Sequence, residues 1–374
     1  MKIKVLKTEI FKLISKAQNI IEKRNTMPVL TNVLLSADKD SLTLYATDLE
    51  VSVKATCKIE CLKEGKAVVS AKSLFDILKE LPDGEIHLEK LDNNSLTIEQ
   101  GKAYFHINGI SPDEFPVFPS LETDQFTNFS PNTIKEMIEK TIYSVSTDES
   151  RYHLNGVLFE TEADDSSPSL RMVATDGHRL SLVDRNLTSV PSGVFKEGII
   201  VPRKGLNEIR KVIDSLDSDQ IVDIAVEGAQ LIVKTADTLL MIRLIEGKYP
   251  NYKQLLPKNL DLHAIIDKDK LISSLKRVSL VSNQKSKGVT FSFSNGVVEI
   301  FSNSPDLGEA KEEIEVNYDK ENLKIGFNAR YILDVLASIG ENEVRMSFKD
   351  QNSPVLLGPK EDEKYKCVVM PMRI

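Results

Sequence analysis

Two stretches 128 residues apart share one frame: Ser41-Leu42 running to Ala46-Thr47-Asp48, and Ser169-Leu170 running to Ala174-Thr175-Asp176. Around each, the same order of features recurs. A helical segment, a hairpin, a second helix and further strands fill about 125 residues and then begin again, a period far too long for a solenoid. Each copy is large enough to enclose a core of its own. The expected architecture is α+β, with three domains of one fold at 1–122, 128–253 and 254–374, each carrying two helices and several strands.

In the first copy the spacing predicts a helix over Thr8–Lys23. Ile10, Leu13, Ile14, Ala17, Ile20 and Ile21 share one stripe at 100° per residue, with Lys12, Lys16, Asn19 and Lys23 opposite. Asn32–Ser36 and Ser41–Asp48 read as a hairpin closed by Asp38-Lys39-Asp40. Strand-like Val51–Ile59 and Ala67–Val69 lead to a helix over Ser73–Leu81, stopped by Pro82-Asp83-Gly84. Strands Ser95–Glu99 and Ala103–Ile107 precede the Pro-punctuated linker Ser111–Pro116.

The second copy opens with Ser130 as N-cap and Pro131 at the first helical position. Ile134, Met137, Ile138 and Ile142 follow on one stripe. Asn155–Phe159 takes the place of Asn32–Leu35, Val201–Leu206 that of Val69–Leu74, and Tyr249-Pro250 that of Phe115-Pro116. In the third copy Asp267–Leu280 is helical, and Gly288–Ser292 with Val297–Phe301 forms the hairpin. Phe327–Ile332 opens the second helix, and Tyr365–Ile374 is the last strand. Lys72, Lys204 and Arg330 are equivalent, each with an acid four residues on (Asp76, Glu208, Asp334), which predicts an ion pair on each second helix.

The net charge of -8 argues against a protein that coats nucleic acid with its whole surface. The charge is unevenly shared, however. Residues 1–24 hold seven basic and two acidic residues, and the six helical segments (1–24, 71–80, 131–143, 203–216, 266–277, 328–339) carry +5, 0, 0, +2, +2 and 0. That leaves -17 for the rest. Positive charge goes with helices and negative charge with strands and loops, which points to an anionic partner on the helical side.

Most catalytic chemistry is missing from the pattern. No phosphate-binding loop, dinucleotide fingerprint, Gly-x-Ser-x-Gly elbow or His-Glu-x-x-His motif occurs. Asp176 and His178 would be the groups an enzyme leans on, and with five histidines in the chain no His-rich cluster completes a site. Taken alone, Thr175-Asp176-Gly177-His178 is ordinary turn chemistry at the end of a strand. Cys57, Cys61 and Cys367 cannot build a disulfide framework, and no further Cys or His pair completes a zinc site around Cys57-x3-Cys61. No apolar run approaches a membrane span and the N-terminus has no secretory h-region, so a cytoplasmic protein is expected.

Five motifs, in order, carry a resemblance: Arg151-Tyr152-His153-Leu154-Asn155-Gly156, Thr175-Asp176-Gly177-His178-Arg179-Leu180, Val201-Pro202-Arg203-Lys204-Gly205, Tyr249-Pro250-Asn251-Tyr252 and Val368-Val369-Met370-Pro371-Met372-Arg373-Ile374. Spread over the chain end to end, they resemble the family of bacterial DNA polymerase III beta subunits, the sliding clamps. That resemblance implies the DNA-clamp fold: a head-to-tail homodimeric ring of six domains, helices lining a central hole and antiparallel sheets outside. It implies a protein without catalytic step, cofactor or metal. Such a ring gives the replicative polymerase processivity by encircling double-stranded DNA without sequence preference, through contacts to phosphate. Implied partners are a second copy of the chain, the DNA polymerase III alpha subunit, the clamp-loader complex, and other polymerases and repair proteins bearing short linear motifs.

The resemblance also assigns residues. A partner-peptide pocket would be walled by Leu154, Thr175, Gly177, His178, Arg179, Leu180, Pro250, Leu255, Asn328, Tyr331, Val368, Val369, Met370, Pro371, Met372 and Arg373. Lys12, Lys16, Lys23, Arg24, Tyr152, His153, Arg203, Lys204, Lys270 and Arg277 would face DNA. Phe105 and Ile107 of one chain would meet Leu280 and Val281 of the other, Leu280 lying off its helix's apolar stripe. His153 replaces a second tyrosine frequent in the family, and Pro354 a small polar residue that lines the pocket edge. From the residues alone, Met370 and Met372 also read as core of a terminal strand. Likewise, an acidic three-domain protein-binding scaffold that never encircles DNA fits the composition.

Overall fold

The computed structural model describes residues 1–18, 20–21, 27–164, 167–187, 195, 198–216 and 220–373. Among them are six α-helices: α1 (Lys7–Ser15), α2 (Ala71–Glu80), α3 (Pro131–Glu139), α4 (Arg203–Asp214), α5 (Lys268–Val278) and α6 (Ala329–Ser338). Their starts are chemically marked. Ser70 accepts the Ser73 N–H at 3.2 Å, Asp267 that of Lys270 at 2.8 Å, and Asn328 that of Arg330 at 2.9 Å. Each of these bonds satisfies one N–H left without a partner by the first helical turn. One stripe per helix goes inward: Ile10, Leu13 and Ile14 on α1, Leu206, Ile209, Val212 and Ile213 on α4, Ile332, Val335 and Leu336 on α6. Each such side chain contributes roughly 1.5–3 kcal/mol. Phe11 stacks on Phe75 at 5.1 Å, tying α1 to α2.

The chain packs as two compact units, residues 1–132 with 204–244, and 133–203 with 245–374. The middle repeat is thus divided between them. The first unit holds a five-stranded sheet in the order Glu60–Lys63, Lys2–Leu6, Glu85–Lys90, Leu96–Gln100, Ala103–Ile107. It also holds a nine-stranded sheet that passes from the first repeat to the middle one where Val51–Lys58 lies antiparallel to Thr238–Arg243, Val53 opposite Leu240. The linker after Phe115 is fastened to this sheet by Phe118, Leu121 and Phe126, packed on Ala225, Ile232 and Met241.

The second unit holds one twelve-stranded sheet. It passes from the middle repeat to the third where Arg179–Asn186 lies antiparallel to Tyr365–Val369, Ser181 opposite Cys367. The two junctions are alike: one repeat's strand after the Thr-Asp turn takes the last strand of the next repeat, so neither edge is left open.

Several expectations change. The first helix ends at Ser15 rather than Lys23, and residues 16–18 are a turn. The Ser15 hydroxyl donates to the Phe11 carbonyl at 2.6 Å, and the next N–H groups (Lys16, Ala17, Gln18) bond three residues back, which tightens and ends the helix. The last strand stops at Val369 rather than running to the C-terminus. Pro371 has no N–H to give a ladder, and Met370 turns its own to His178. The expected (i, i+4) pair is seen on α2, Lys72–Asp76 at 3.3 Å. Lys204 reaches Asp48 and Asp334 takes Arg179 at 2.6 Å, partners distant in sequence, while Glu208 takes Lys211, three residues on in the same helix, at 2.6 Å. Within the true helix bounds the net charge is +5, leaving -13 elsewhere. The partition survives, smaller because Lys2 and Lys4 lie on a strand and Lys16 and Lys140 lie past the ends of α1 and α3.

Candidate functional site

The second unit gathers most of the proposed pocket residues around one turn. Strand Ser167–Thr175 ends where Asp176 accepts the N–H groups of His178 and Arg179 at 2.9 and 3.0 Å. Thr175 Oγ1 donates to the Arg179 carbonyl at 2.6 Å and accepts the Gly177 N–H at 3.1 Å. Gly177 has φ +88°, and a Cβ there would come within 2.9 Å of Arg151 Nη1. Both facts favour glycine. The Thr175 N–H is bonded to the Tyr249 hydroxyl at 3.0 Å, so the Tyr249-Pro250 segment is pinned beside the turn. Burial raises the pKa of that tyrosine.

Arg179 is the hub. Its Nε meets Asp176 at 3.0 Å, Nη1 meets Asp334 of α6 at 2.6 Å, and Nη2 meets the Tyr143 carbonyl at 2.6 Å. The guanidinium carbon lies 4.5 Å from the Tyr331 ring centre and 5.4 Å from that of Tyr143. Only 9% of it is exposed, so it holds the turn, α6 and the segment after α3 together rather than projecting into solvent. Tyr331 in turn stacks on His178, ring centres 6.3 Å apart and planes 18° from parallel.

Apolar side chains form the floor. Leu154, Leu180, Val368, Tyr249 and Tyr252 belong to one buried cluster, with Leu256 and Leu356 packed against it. Val369 is buried opposite Val355, next to Pro354. Beyond Val369 the chain leaves the sheet and borders the recess, Met370 N–H bonded to the His178 carbonyl at 2.9 Å and Met372 N–H to the Gly326 carbonyl at 2.8 Å. Pro250, Pro371 and Met372 are half-buried and Arg373 is exposed. Leu255 and Met370, 42% and 39% exposed, present large apolar side chains at the lip. Asn328 is engaged as the cap of α6. Sequence reasoning missed Arg151, Tyr143, Tyr249 and Asp334, although Arg151 stands in the same motif as Leu154.

The first repeat carries the same turn without the recess. Asp48 accepts the Glu50 and Val51 N–H groups at 2.9 and 2.7 Å, and Thr47 Oγ1 that of Leu49 at 3.0 Å. Registered against the strands, the place of Tyr331 on α6 falls to Gly205 on α4, where a Cβ would lie 2.4 Å from Ile242 Cγ2. With the helix backbone packed that closely on the strand, no aromatic wall can form.

Lys12 and Arg203 are exposed on α1 and α4. Lys16 is bound to Asp237 at 2.6 Å and to Thr238 Oγ1 at 2.8 Å, and Lys204 to a buried Asp48. Lys270 lies 3.9 Å from Glu315, and Arg277 grips Glu312 through two N–H groups. Tyr152 and His153 meet edge to face in the 3-10 segment Glu149–Leu154. Lys23, Arg24 and Ile374 lie outside the described residues. Leu280 is 76% exposed in the 3-10 turn Ser279–Val281, Val281 half-buried beside it. Phe105 and Ile107 are half-buried on Ala103–Ile107, the strand that ends the five-stranded sheet. No helix among the described residues is long and apolar enough to cross a membrane.

Three family profiles match this chain: the DNA polymerase III beta subunit N-terminal domain over 1–119, central domain over 128–251 and C-terminal domain over 253–373. The beta sliding clamp of Caulobacter vibrioides is 32% identical over 376 residues, covering 100% of both chains. Among solved structures, a sliding clamp (DNA polymerase III subunit beta) from Bartonella birtlesii bound to griselimycin superposes with a TM-score of 0.95 at 32% identity. The DNA polymerase sliding clamp from Pseudomonas aeruginosa with ligand gives 0.93 at 31%, and both cover 100% of either chain.

Proposed function

This chain belongs to the DNA polymerase III beta subunit family, the beta sliding clamps, and from that premise we propose how its parts do the work of one. A sliding clamp is a non-catalytic processivity factor with the three-domain DNA-clamp fold. We set the domains at 1–122, 128–253 and 254–374, and the place of work in the cytoplasm.

The observation that carries the ring is a vacancy in strand pairing. Within the chain, the strand after the Thr-Asp turn takes the last strand of the next repeat twice, Val51–Lys58 with Thr238–Arg243 and Arg179–Asn186 with Tyr365–Val369. The third such strand is Gly308–Asn317, which beyond the two pairs at Val316 and Asn317 has an outer edge still available. The last strand of the first repeat, Ala103–Ile107, ends its sheet. Two copies pairing these edges head to tail close a ring and bring Leu280 and Val281 towards Phe105 and Ile107 of the partner. Main-chain bonds set the register, and the apolar contacts supply the free energy.

Inside the ring, Lys12, Arg203, Lys270 and Arg277, with Tyr152 and His153, face phosphate. Their contacts carry no sequence information, so the ring stays on duplex DNA by topology and slides. On the second unit, the recess around Arg179 takes a short linear peptide from the polymerase alpha subunit, the clamp loader, or other polymerases and repair proteins. Leu and Phe side chains would fill the Leu154–Leu180–Val368 floor, with Leu255 and Met370 closing over them.

Retention on circular duplex tests the reading. A dimer by sedimentation that stays on nicked circular DNA and runs off once the circle is cut is expected. A monomer, or retention indifferent to linearisation, would overturn the ring.

A further inference from the structure

Two of the cations assigned to the DNA side are already engaged by acids that remain open to water. Lys16 Nζ lies 2.6 Å from Asp237 Oδ2, and Asp237 also receives the Thr238 hydroxyl at 2.8 Å. Arg277 Nε lies 2.9 Å from Glu312 Oε2, with a second N–H on Oε1. The acids are not buried: their side chains are 52% and 30% exposed, against 4% for the Asp48 that holds Lys204. Asp48 also fixes the turn through Glu50 and Val51, so Lys204 is committed to the fold. Asp237 sits in the short turn between Gln230–Lys234 and Thr238–Arg243, and Glu312 on the strand Gly308–Asn317. Both are held in place independently of any ligand.

We propose that Asp237 and Glu312 are built-in competitors of DNA phosphate for Lys16 and Arg277, weakening the ring's grip so that it slides. The proposal rests on the inward-facing helices of the clamp reading. The Arg277 pair is exposed and worth about 0–1 kcal/mol, and the Lys16 pair, with the lysine 17% exposed, opens to water on its acid side, so neither cation is locked away from phosphate. Yet a cation that must leave a carboxylate to meet DNA contributes less than the roughly 0.9 unit of salt slope expected per neutralised phosphate. The acids stay ionised at working pH: hydrogen bonding from Arg277 keeps the Glu312 carboxyl below its ordinary range, and Lys16 does so for Asp237 against the upward push of burial. The arrangement keeps cations near the DNA path while denying them a full grip.

A double-mutant cycle on the full-length dimer decides. Binding to a short labelled linear duplex, onto whose ends the ring can thread, is measured by anisotropy across a salt series. Asp237→Asn should tighten binding several-fold at low salt and steepen the slope by about one unit, and the gain should vanish in a Lys16→Gln background. Glu312→Gln with Arg277→Gln should behave alike. No gain, or an equal gain with and without Lys16, would overturn the proposal, since the acid would then act only as a repelling charge. If Glu312→Gln weakens the dimer through its strand, the Asp237 cycle, on a turn outside that strand, still decides. Failure of the parent to stay on nicked circles would count against the ring reading instead.

Discussion

Arg179 Nη1 and Asp334 Oδ2 lie 2.6 Å apart, joining a turn of the middle repeat to a helix of the third. Residues 155 positions apart in the chain thereby fix one wall of the recess. The pair shields Arg179 almost completely and makes it part of the framework, not a free hand for ligand.

Arg179→Ala should therefore cost stability as well as binding. Removing one partner strands Asp176 and Asp334, and breaking a buried pair costs about 3–5 kcal/mol. The 31% exposure of Asp334 lowers the expectation to about 2–4 kcal/mol. Urea unfolding followed by circular dichroism measures it. A loss below about 0.5 kcal/mol would show that the hub carries no load.

The lip gives the cleaner test of docking. Leu255→Ala with Met370→Ala removes exposed side chains, so stability should move by about 0.5 kcal/mol or less. A peptide with Gln followed by Leu and Phe anchors should bind the parent in the low micromolar range, about -8 kcal/mol, and the double variant tenfold or more weaker. Unchanged affinity by calorimetry would place the peptide elsewhere.

Leu280 and Val281 should matter to assembly alone. Truncating both to Ala removes roughly 1–3 kcal/mol of interface burial, a ten- to hundredfold rise in the dimer dissociation constant. Sedimentation at nanomolar concentration should then show monomer while circular dichroism is unchanged. An intact dimer would argue against the Ala103–Ile107 edge as the meeting place.

Acid should loosen the second unit through Glu136 and Asp362. Both meet Arg185, at 2.5 and 2.7 Å, and both meet Lys140. Burial alone would raise these carboxyls, but Arg185 and Lys140 hold them below their ordinary values. A depressed folded pKa means the stabilisation is complete above the unfolded value, about 4, and is lost as pH falls through the folded one. Arg185→Gln should cost about 1–2 kcal/mol at pH 7 and flatten the decline below about pH 4. Parallel urea midpoints across the acid range for parent and variant would refute this.

Local pattern determined a good deal. The threefold repeat, the helix stripes of Ile10–Ile14 and Ile134–Ile138, and the Asp-Gly turn were all legible, because period, capping and turn chemistry act over a few residues. Tertiary structure decided who meets whom. Lys16 and Asp237 are 221 positions apart, and nothing near either one predicts the pair. The same holds for Arg179, one pocket wall among sixteen residues in the sequence reading, which Tyr143, Tyr331 and Asp334 surround in the fold. Equivalent turns at Thr47–Val51 and Thr175–Arg179 differ in outcome because Gly205 lets a helix close on Ile242 where Tyr331 keeps a recess open. Partner choice in ion pairs and strand edges depends on distances that folding sets, so the sequence by itself determined the elements, and only packing decided which charges stay available and where a ligand can enter.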